Sequence, residues 1–169
     1  MIDNIIPTLP KSKESIYKGF CNCRKLKKYI LVSKEEFKLH LEKAKNDLSK
    51  IQGDYNDGAW DWVVIKAYYA IHHAINALLI KFQGFYSKDH FCAILALKNF
   101  DLVPRDIYEN LRKISTKFSD FTGFEISYSL RKIGQYDVLK WKQLSKEDAS
   151  KIYNFTKEFV AFVERRCFE

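Results

Sequence analysis

Apolar residues recur along most of this chain at the three- and four-residue steps of helices, and one window departs from that rule by being apolar on every side. From Asp61 to Phe82 the chain reads DWVVIKAYYAIHHAINALLIKF, with no Pro or Gly until Gly84. Ala and Leu favour helix, and Asn56 and Asp57 stand where its start would be capped. At about 1.5 Å per residue such a helix is about 33 Å long, enough to cross a small domain. An apolar surface all round requires partners on several faces, which predicts the central helix of the fold. A bilayer span is the competing reading, but Lys66, His72, His73 and Asn76 fall inside the window and are costly in lipid, so no membrane is expected.

On either side the pattern predicts shorter amphipathic helices. Residues 1–10 contain Pro7 and Pro10 and read as an extended arm. Lys11 to Leu31 reads as a basic helix in which Ile16, Phe20, Cys23, Leu26 and Ile30 form the stripe, weakened by Gly19. Ser33-Lys34-Glu35-Glu36 reads as a capping box, and Phe37, Leu41, Ala44, Leu48 and Ile51 continue one face of a helix ending before Gly53. The short link to the central helix favours antiparallel neighbours. Ser87 is read as the cap of a third helix through Phe100, with Phe91, Ile94, Leu95 and Lys98 on its inner face and edge. Pro104 suits the first turn of a fourth, whose stripe is Ile107, Leu111, Ile114 and Phe118 before Gly123. Phe124 to Ile133 reads as a further short helix closed by Gly134. The last begins at the Ser145-Lys146-Glu147-Asp148 cap and carries Ala149, Ile152, Tyr153, Phe159, Val160 and Val163. No strand alternation, repeat or Gly-rich phosphate loop stands out. The expected fold is all-α, an up-and-down bundle of about five helices over 34–169, preceded by a basic N-terminal extension over 1–33.

Composition narrows this. At 169 residues the chain suits one domain, burying roughly 70% of its unfolded surface, and 47% hydrophobic content argues against disorder. The four Cys invite a disulfide reading. The N-terminus lacks the charged region and apolar run of a signal peptide, so a reducing, cytoplasmic compartment is expected. Cys21-Asn22-Cys23 has no second pair at metal spacing, and no metal or cofactor is expected. The net charge is +8, and residues 1–33 hold seven basic residues against Asp3 and Glu14, a net of +5. Such a segment can attract phosphates or serve as a solvated face.

The stretch from Tyr68-Tyr69-Ala70-Ile71-His72-His73-Ala74 through Leu78-Leu79, then Gly84-Phe85-Tyr86-Ser87-Lys88-Asp89-His90-Phe91, resembles the central signature of HEPN domains. The family often reads Tyr-Tyr-Ala, two residues, His-Ala, a Leu-Leu pair, then Gly and a Ser/Lys-rich turn containing His. His72 stands where it usually has an aromatic residue. The resemblance covers roughly residues 34–167 and is sharpest from Tyr68 to Leu97 and around Arg131. It implies a homodimer in which polar loops near an Arg motif face a shared cleft.

Ribonucleases of that family carry an Arg followed four to six residues later by a His, and the two act together on a phosphodiester. Here Arg131 is followed at the fifth place by Tyr136, as in members that read Arg, two residues, Ala-Asp, then Tyr; Gly134 and Gln135 replace the Ala-Asp pair. Arg holds phosphate through a planar fork at any physiological pH, whereas a Tyr of ordinary pKa, about 10, is a poor general base. Arg131 and Tyr136 are therefore the candidate phosphate-binding pair, with Lys132, His73 and His90 as supporting candidates. The bland reading, in which Arg131 anchors a loop and Tyr136 caps the core, stands beside it, and Glu125 reads as a solvated carboxylate. Adjacent His72 and His73 point about 100° apart on a helix and cannot share one ion. His73 reads as a core or interface side chain whose ring is hydrogen-bonded. Lys81 complements the helix dipole, and neither it nor Lys88 has support as a catalytic lysine.

Two functional readings remain. The first is a noncatalytic binder of nucleotide or RNA phosphate, partnered by a small nucleotidyltransferase in a toxin–antitoxin-like pair. The second is a divergent HEPN endoribonuclease toxin, metal-independent, using Arg131 with Tyr136 or a displaced His90. The missing His favours the first.

Overall fold

The computed structural model describes residues 8–115 and 142–169 in full and 116–122 as backbone. The elements are α1 (Lys13–Lys25), β1 (Tyr29–Leu31), a 3-10 turn (Lys34–Glu36), α2 (Phe37–Asn56), α3 (Trp60–Gln83), β2 (Phe85–Ser87), α4 (His90–Asn99), α5 (Arg105–Thr122) and α6 (Lys146–Phe168). The fold is an all-α bundle with one two-stranded antiparallel ladder, in which Tyr29 pairs with Ser87 and Leu31 with Phe85.

The apolar cylinder is the central helix. On α3 every residue from Ala74 to Ile80 is buried, with Val63, Val64, Ala67, Tyr68, Ala70 and Ile71 before them. Its most apolar window is 72% buried inside the bundle, so its hydrophobicity is spent on protein neighbours. Lys66 meets Asp54, His73 faces Asp47, and Lys81 lies over the Phe37 ring, so α2 runs antiparallel to α3. Tyr55 bonds Ser150, Lys45 pairs with Glu164 and Phe37 packs on Phe168, so α6 is antiparallel to α2. α6 is therefore parallel to α3, and Arg166 reaches the Phe82 ring near both C-termini.

Three helices end in one way. After α1 the Lys27 N–H donates to Arg24 O and the Lys28 N–H to Cys23 O, with Lys27 at φ 55°. After α4 the Asp101 and Leu102 N–H groups donate to Lys98 O and Leu97 O, with Asp101 at φ 52°. Gly58, at φ 71°, closes α2 with the same pair of bonds to Tyr55 O and Asp54 O. This paired closure satisfies carbonyls that the helix leaves open and needs one left-handed residue. Gly84, at φ 75°, closes α3 where the pattern placed its end.

These closures correct several boundaries. α1 stops at Lys25, because the left-handed Lys27 turns the chain; Leu26 is 61% exposed and Ile30 sits in β1, so neither belongs to the buried stripe. α2 runs through Gly53 to Asn56, and α3 starts after Ala59 without a side-chain cap, so Asn56 and Asp57 end one helix rather than start the next. Ser87 lies in β2, and Asp89 caps α4 by accepting the Cys92 N–H. The Ser33 hydroxyl accepts the Glu35 N–H at the 3-10 turn, whereas Ser145 and Asp148 form the full reciprocal capping box of α6. The stretch read as a short helix, Phe124 to Ile133, lies outside the described residues.

The N-terminal segment docks on the far side of α4. Ile16, Phe20 and Cys23 are buried, and Cys23 is joined to Cys92 by a disulfide, contrary to the expectation of unpaired cysteines; Cys21 and Cys167 are free. Juxtaposition is the reason: α1 crosses α4 where both half-cystines are buried. Before α1, the carbonyls of Leu9 and Pro10 accept from Arg112 and from the Tyr108 hydroxyl, whose pKa burial pushes up to about 12, so it stays a donor.

Two glycines predict opposite outcomes. A Cβ on Gly19 would stand 2.8 Å from Leu95 Cδ1, and Leu95 is fully buried, whereas one on Gly53 meets nothing within 4 Å. Gly19→Val should lower unfolding stability by about 1–3 kcal/mol through overpacking. Gly53→Ala should raise it by about 0.5–1 kcal/mol by restraining the unfolded chain. Chemical denaturation of both variants tests the pair, and equal effects would contradict it.

Candidate functional site

The signature residues converge on one buried amide. Asn76 Oδ1 accepts the Ser87 N–H at 3.1 Å while its Nδ2 donates to the Ser87 carbonyl at 2.9 Å, so the side chain of α3 pairs with β2 as a strand would. That exchange fixes the amide's orientation. The second Nδ2 proton then faces His72 Nε2 at 3.2 Å, which makes that nitrogen an acceptor. A neutral His72 therefore carries its proton on Nδ1, which faces His90 Nδ1 at 3.4 Å. His90 in turn must accept there and hold its own proton on Nε2. Its ring lies 4.3 Å from that of Tyr68, and burial, with His72 second, holds its pKa well below the usual histidine value.

Ser87 extends the network. Its hydroxyl donates to the Lys28 carbonyl and accepts the Asp89 N–H, and Asp89 caps α4 while its carboxylate lies 3.5 Å from Lys28 Nζ. The Tyr29 hydroxyl donates to the Cys92 carbonyl, and burial raises its pKa so that it remains a donor.

A second polar seam lies between α2 and α3. Asp47, only 8% exposed, holds Lys43 on Oδ1 and lies 4.0 Å from His73 Nε2 through Oδ2. His40 stands 5.8 Å from the His73 ring and 5.4 Å from Tyr86. Burial lowers the pKa of both histidines; for His40 the neighbouring His73 adds to it, while for His73 Asp47 opposes it. His40 Nδ1, His73 Nδ1 and Asp47 Oδ2 are buried without a hydrogen-bond partner among the described residues, in contrast to the saturated network at Asn76.

The four histidines thus form one line, His40, His73, His72, His90, with ring centres 5.5 to 6.0 Å apart. Among the described residues no three His, Cys, Asp or Glu side chains converge on a metal position. Of the sequence candidates, His73 lies in the Asp47 seam, where its expected ring hydrogen bond is not formed, and His90 is buried against Tyr68 and His72. Arg131, Lys132, Tyr136 and Glu125 lie outside the described residues. Lys81 packs over Phe37 and Lys88 is exposed. The sequence reading missed Asn76, Asp47 and His40. The signal for Asp47 was an acidic residue adjoining the α2 stripe, beside Leu48 and three residues after Ala44.

Three histidines whose pKa burial lowers, His90 buried and His40 and His73 half-buried, make stability depend on pH. His40, His73 and His90 all titrate lower folded than unfolded, where a histidine has a pKa of about 6.5. The unfolded chain therefore binds more protons below that value, so their stabilisation is complete at neutral pH and above and is lost as pH falls below about 6.5. Thermal melts should show a steeper acid loss for wild type than for His90→Gln. Parallel profiles would remove His90 from the account.

A family model described as HEPN domain matches residues 37–166. Comparison with curated proteins and with solved structures returns no match. The matched range runs from the first residue of α2 to near the end of α6, contains Asn76, Ser87, His72 and His90, and carries with it a nucleotide- or RNA-related role. The chain belongs to the HEPN family.

Proposed function

We propose that this HEPN protein is a noncatalytic binder of nucleotide or RNA phosphate, in which the Arg131 guanidinium forks onto phosphate with Lys132 and Tyr136 beside it. It works as a homodimer, next to a small nucleotidyltransferase in a toxin–antitoxin-like pair. The observation that carries this reading is the residue five places after Arg131, which is Tyr136 and not His. General acid–base catalysis is most effective when the group's pKa lies near the working pH, and a Tyr would need a shift of about three units, or about 4 kcal/mol. Of the histidines weighed as a base, His90 is buried and engaged with His72, and His73 lies against Asp47 in the seam between α2 and α3, which withdraws both from a ribose hydroxyl.

The test is a panel of labelled RNAs with wild type, Arg131→Ala and Tyr136→His. Wild type should bind without cleaving, Arg131→Ala should lose about 1.5–3 kcal/mol of binding, the range for hydrogen bonds to charged groups, and Tyr136→His should gain cleavage if the site is an inactivated one. Metal-independent cleavage by wild type that Arg131→Ala abolishes would promote the endoribonuclease reading instead.

Support for the dimer comes from α3. Trp62 is 51% exposed, and Tyr69, seven residues on and on the same face, is also exposed. Two large aromatic side chains left exposed on one face of an otherwise buried helix favour a second subunit. Sedimentation should give about twice the chain mass of 20.0 kDa, shifting toward one chain mass in Trp62→Glu. A wild-type monomer at micromolar concentration would reject the dimer.

A further inference from the structure

α1 is fixed to the bundle by one face only. Ile16, Phe20 and Cys23 point inward, Gly19 lets Leu95 close on the helix, and the disulfide to Cys92 pins its last turn. The outward face carries Lys13, Lys18, Arg24 and Lys25 among Glu14, Ser15, Tyr17 and Asn22. Glu14 is its only acidic residue, and Lys18 already pairs with it at 2.9 Å. Lys28, past the helix, is paired with Asp89. Lys13, Lys25 and Lys27 are exposed and have no ion pair among the described residues, and Arg24 is exposed with its guanidinium 5.7 Å from the Phe20 ring.

An aromatic side chain stands among these cations. Tyr17 is 58% exposed. At about 100° per residue, Lys13, Tyr17 and Arg24 fall within about 40° of one another around the helix, so the ring sits on a strip with a cation before and after it. We propose that α1 and the turn after it form a binding surface for single-stranded nucleic acid, in which Lys13, Arg24, Lys25 and Lys27 meet phosphates and Tyr17 stacks on a base. A duplex keeps its base faces inside the stack, and a lone exposed ring has nothing to pair with there; a single strand offers both the charge and the open base. A lipid surface is disfavoured by the same packing. A basic amphipathic helix binds membranes by burying its apolar face, and the apolar face of α1 is committed to α4. The surface lies outside the HEPN match at 37–166 and does not depend on Arg131.

The experiment uses the full-length chain and fluorescence anisotropy with a labelled single-stranded RNA of about 12 nucleotides, within the span of known single-strand sites. Affinity is measured from about 50 to about 200 mM salt, where each neutralised phosphate contributes about −0.7 to the log–log slope. Lys13→Gln/Arg24→Gln/Lys25→Gln, all exposed positions, should make the slope shallower by about 2, with an unchanged helical circular dichroism spectrum. Tyr17→Ala should weaken binding about tenfold and leave the slope as in wild type. Arg131→Ala, which removes one phosphate contact at the proposed site, should flatten the slope by no more than about 0.7, and the triple variant should add its own loss to that. The proposal is overturned if wild type does not bind the strand, if the triple variant keeps the wild-type slope, or if Tyr17→Ala binds as wild type. It is equally overturned if the same cations serve anionic phosphatidylserine vesicles and the RNA does not compete.

Discussion

A single buried amide ties the central helix to the strand that follows it and, through that strand, to the first turn of α4. Asn76 lies at the middle of the most apolar stretch of the chain, where a polar side chain is tolerated only if its capacity is met. Ser87 meets it with both backbone groups, and His72 takes the remaining proton. Through Ser87 the same contact reaches Lys28 and Asp89, and through Asp89 the first turn of α4. Loss of the amide would leave a buried N–H and a buried carbonyl unpaired, each costing about 1–3 kcal/mol. The β1–β2 ladder is only three residues long and could not hold itself in water. Its place is set by α3 through Asn76, while α1 docks separately on α4 through its apolar face and the Cys23–Cys92 bond.

What was legible in the sequence was whatever rests on periodicity or on a reciprocal cap. The stripe Phe37, Leu41, Ala44, Ile51, the continuous core of α3, Gly84 and the capping box at Ser145 all stand where the pattern put them. The misplaced helix ends share a cause. Lys27 and Asp101 adopt the left-handed turn that usually marks Gly, and Gly53, an obvious breaker, sits inside a helix whose turn residue is Gly58. Ser87 looked like a cap because a three-residue strand cannot display alternation. Asp47, at the edge of the α2 stripe, and Asn76, inside an apolar run, were harder to read for another reason: a polar residue at such a place declares its role only when its partner, distant in sequence, is known. The Cys23–Cys92 bond belongs with them, since spacing alone does not report that α1 crosses α4.

The histidines bear on function through their neighbours. A base must face solvent or substrate with its lone pair available, and here Asn76 directs His72, His72 directs His90, and the ring of Tyr68 covers the last member. Departure from the usual aromatic at position 72 is thereby explained without chemistry. The imidazole keeps a ring against Tyr68 and adds an acceptor that the second Asn76 proton would otherwise lack. In this part of the family signature the polar residues are architecture.

The cationic helix carries a constraint of its own. A helix of 13 residues is marginal in isolation, and like charges along its outer face weaken it further. Its order therefore has to come from Ile16, Phe20 and Cys23 packing on α4. The surface that gathers positive charge is thus held by apolar packing and the Cys23–Cys92 bond on α4, while the residue bonded to Asn76 steadies only the turn that follows the helix, through the Lys28 carbonyl.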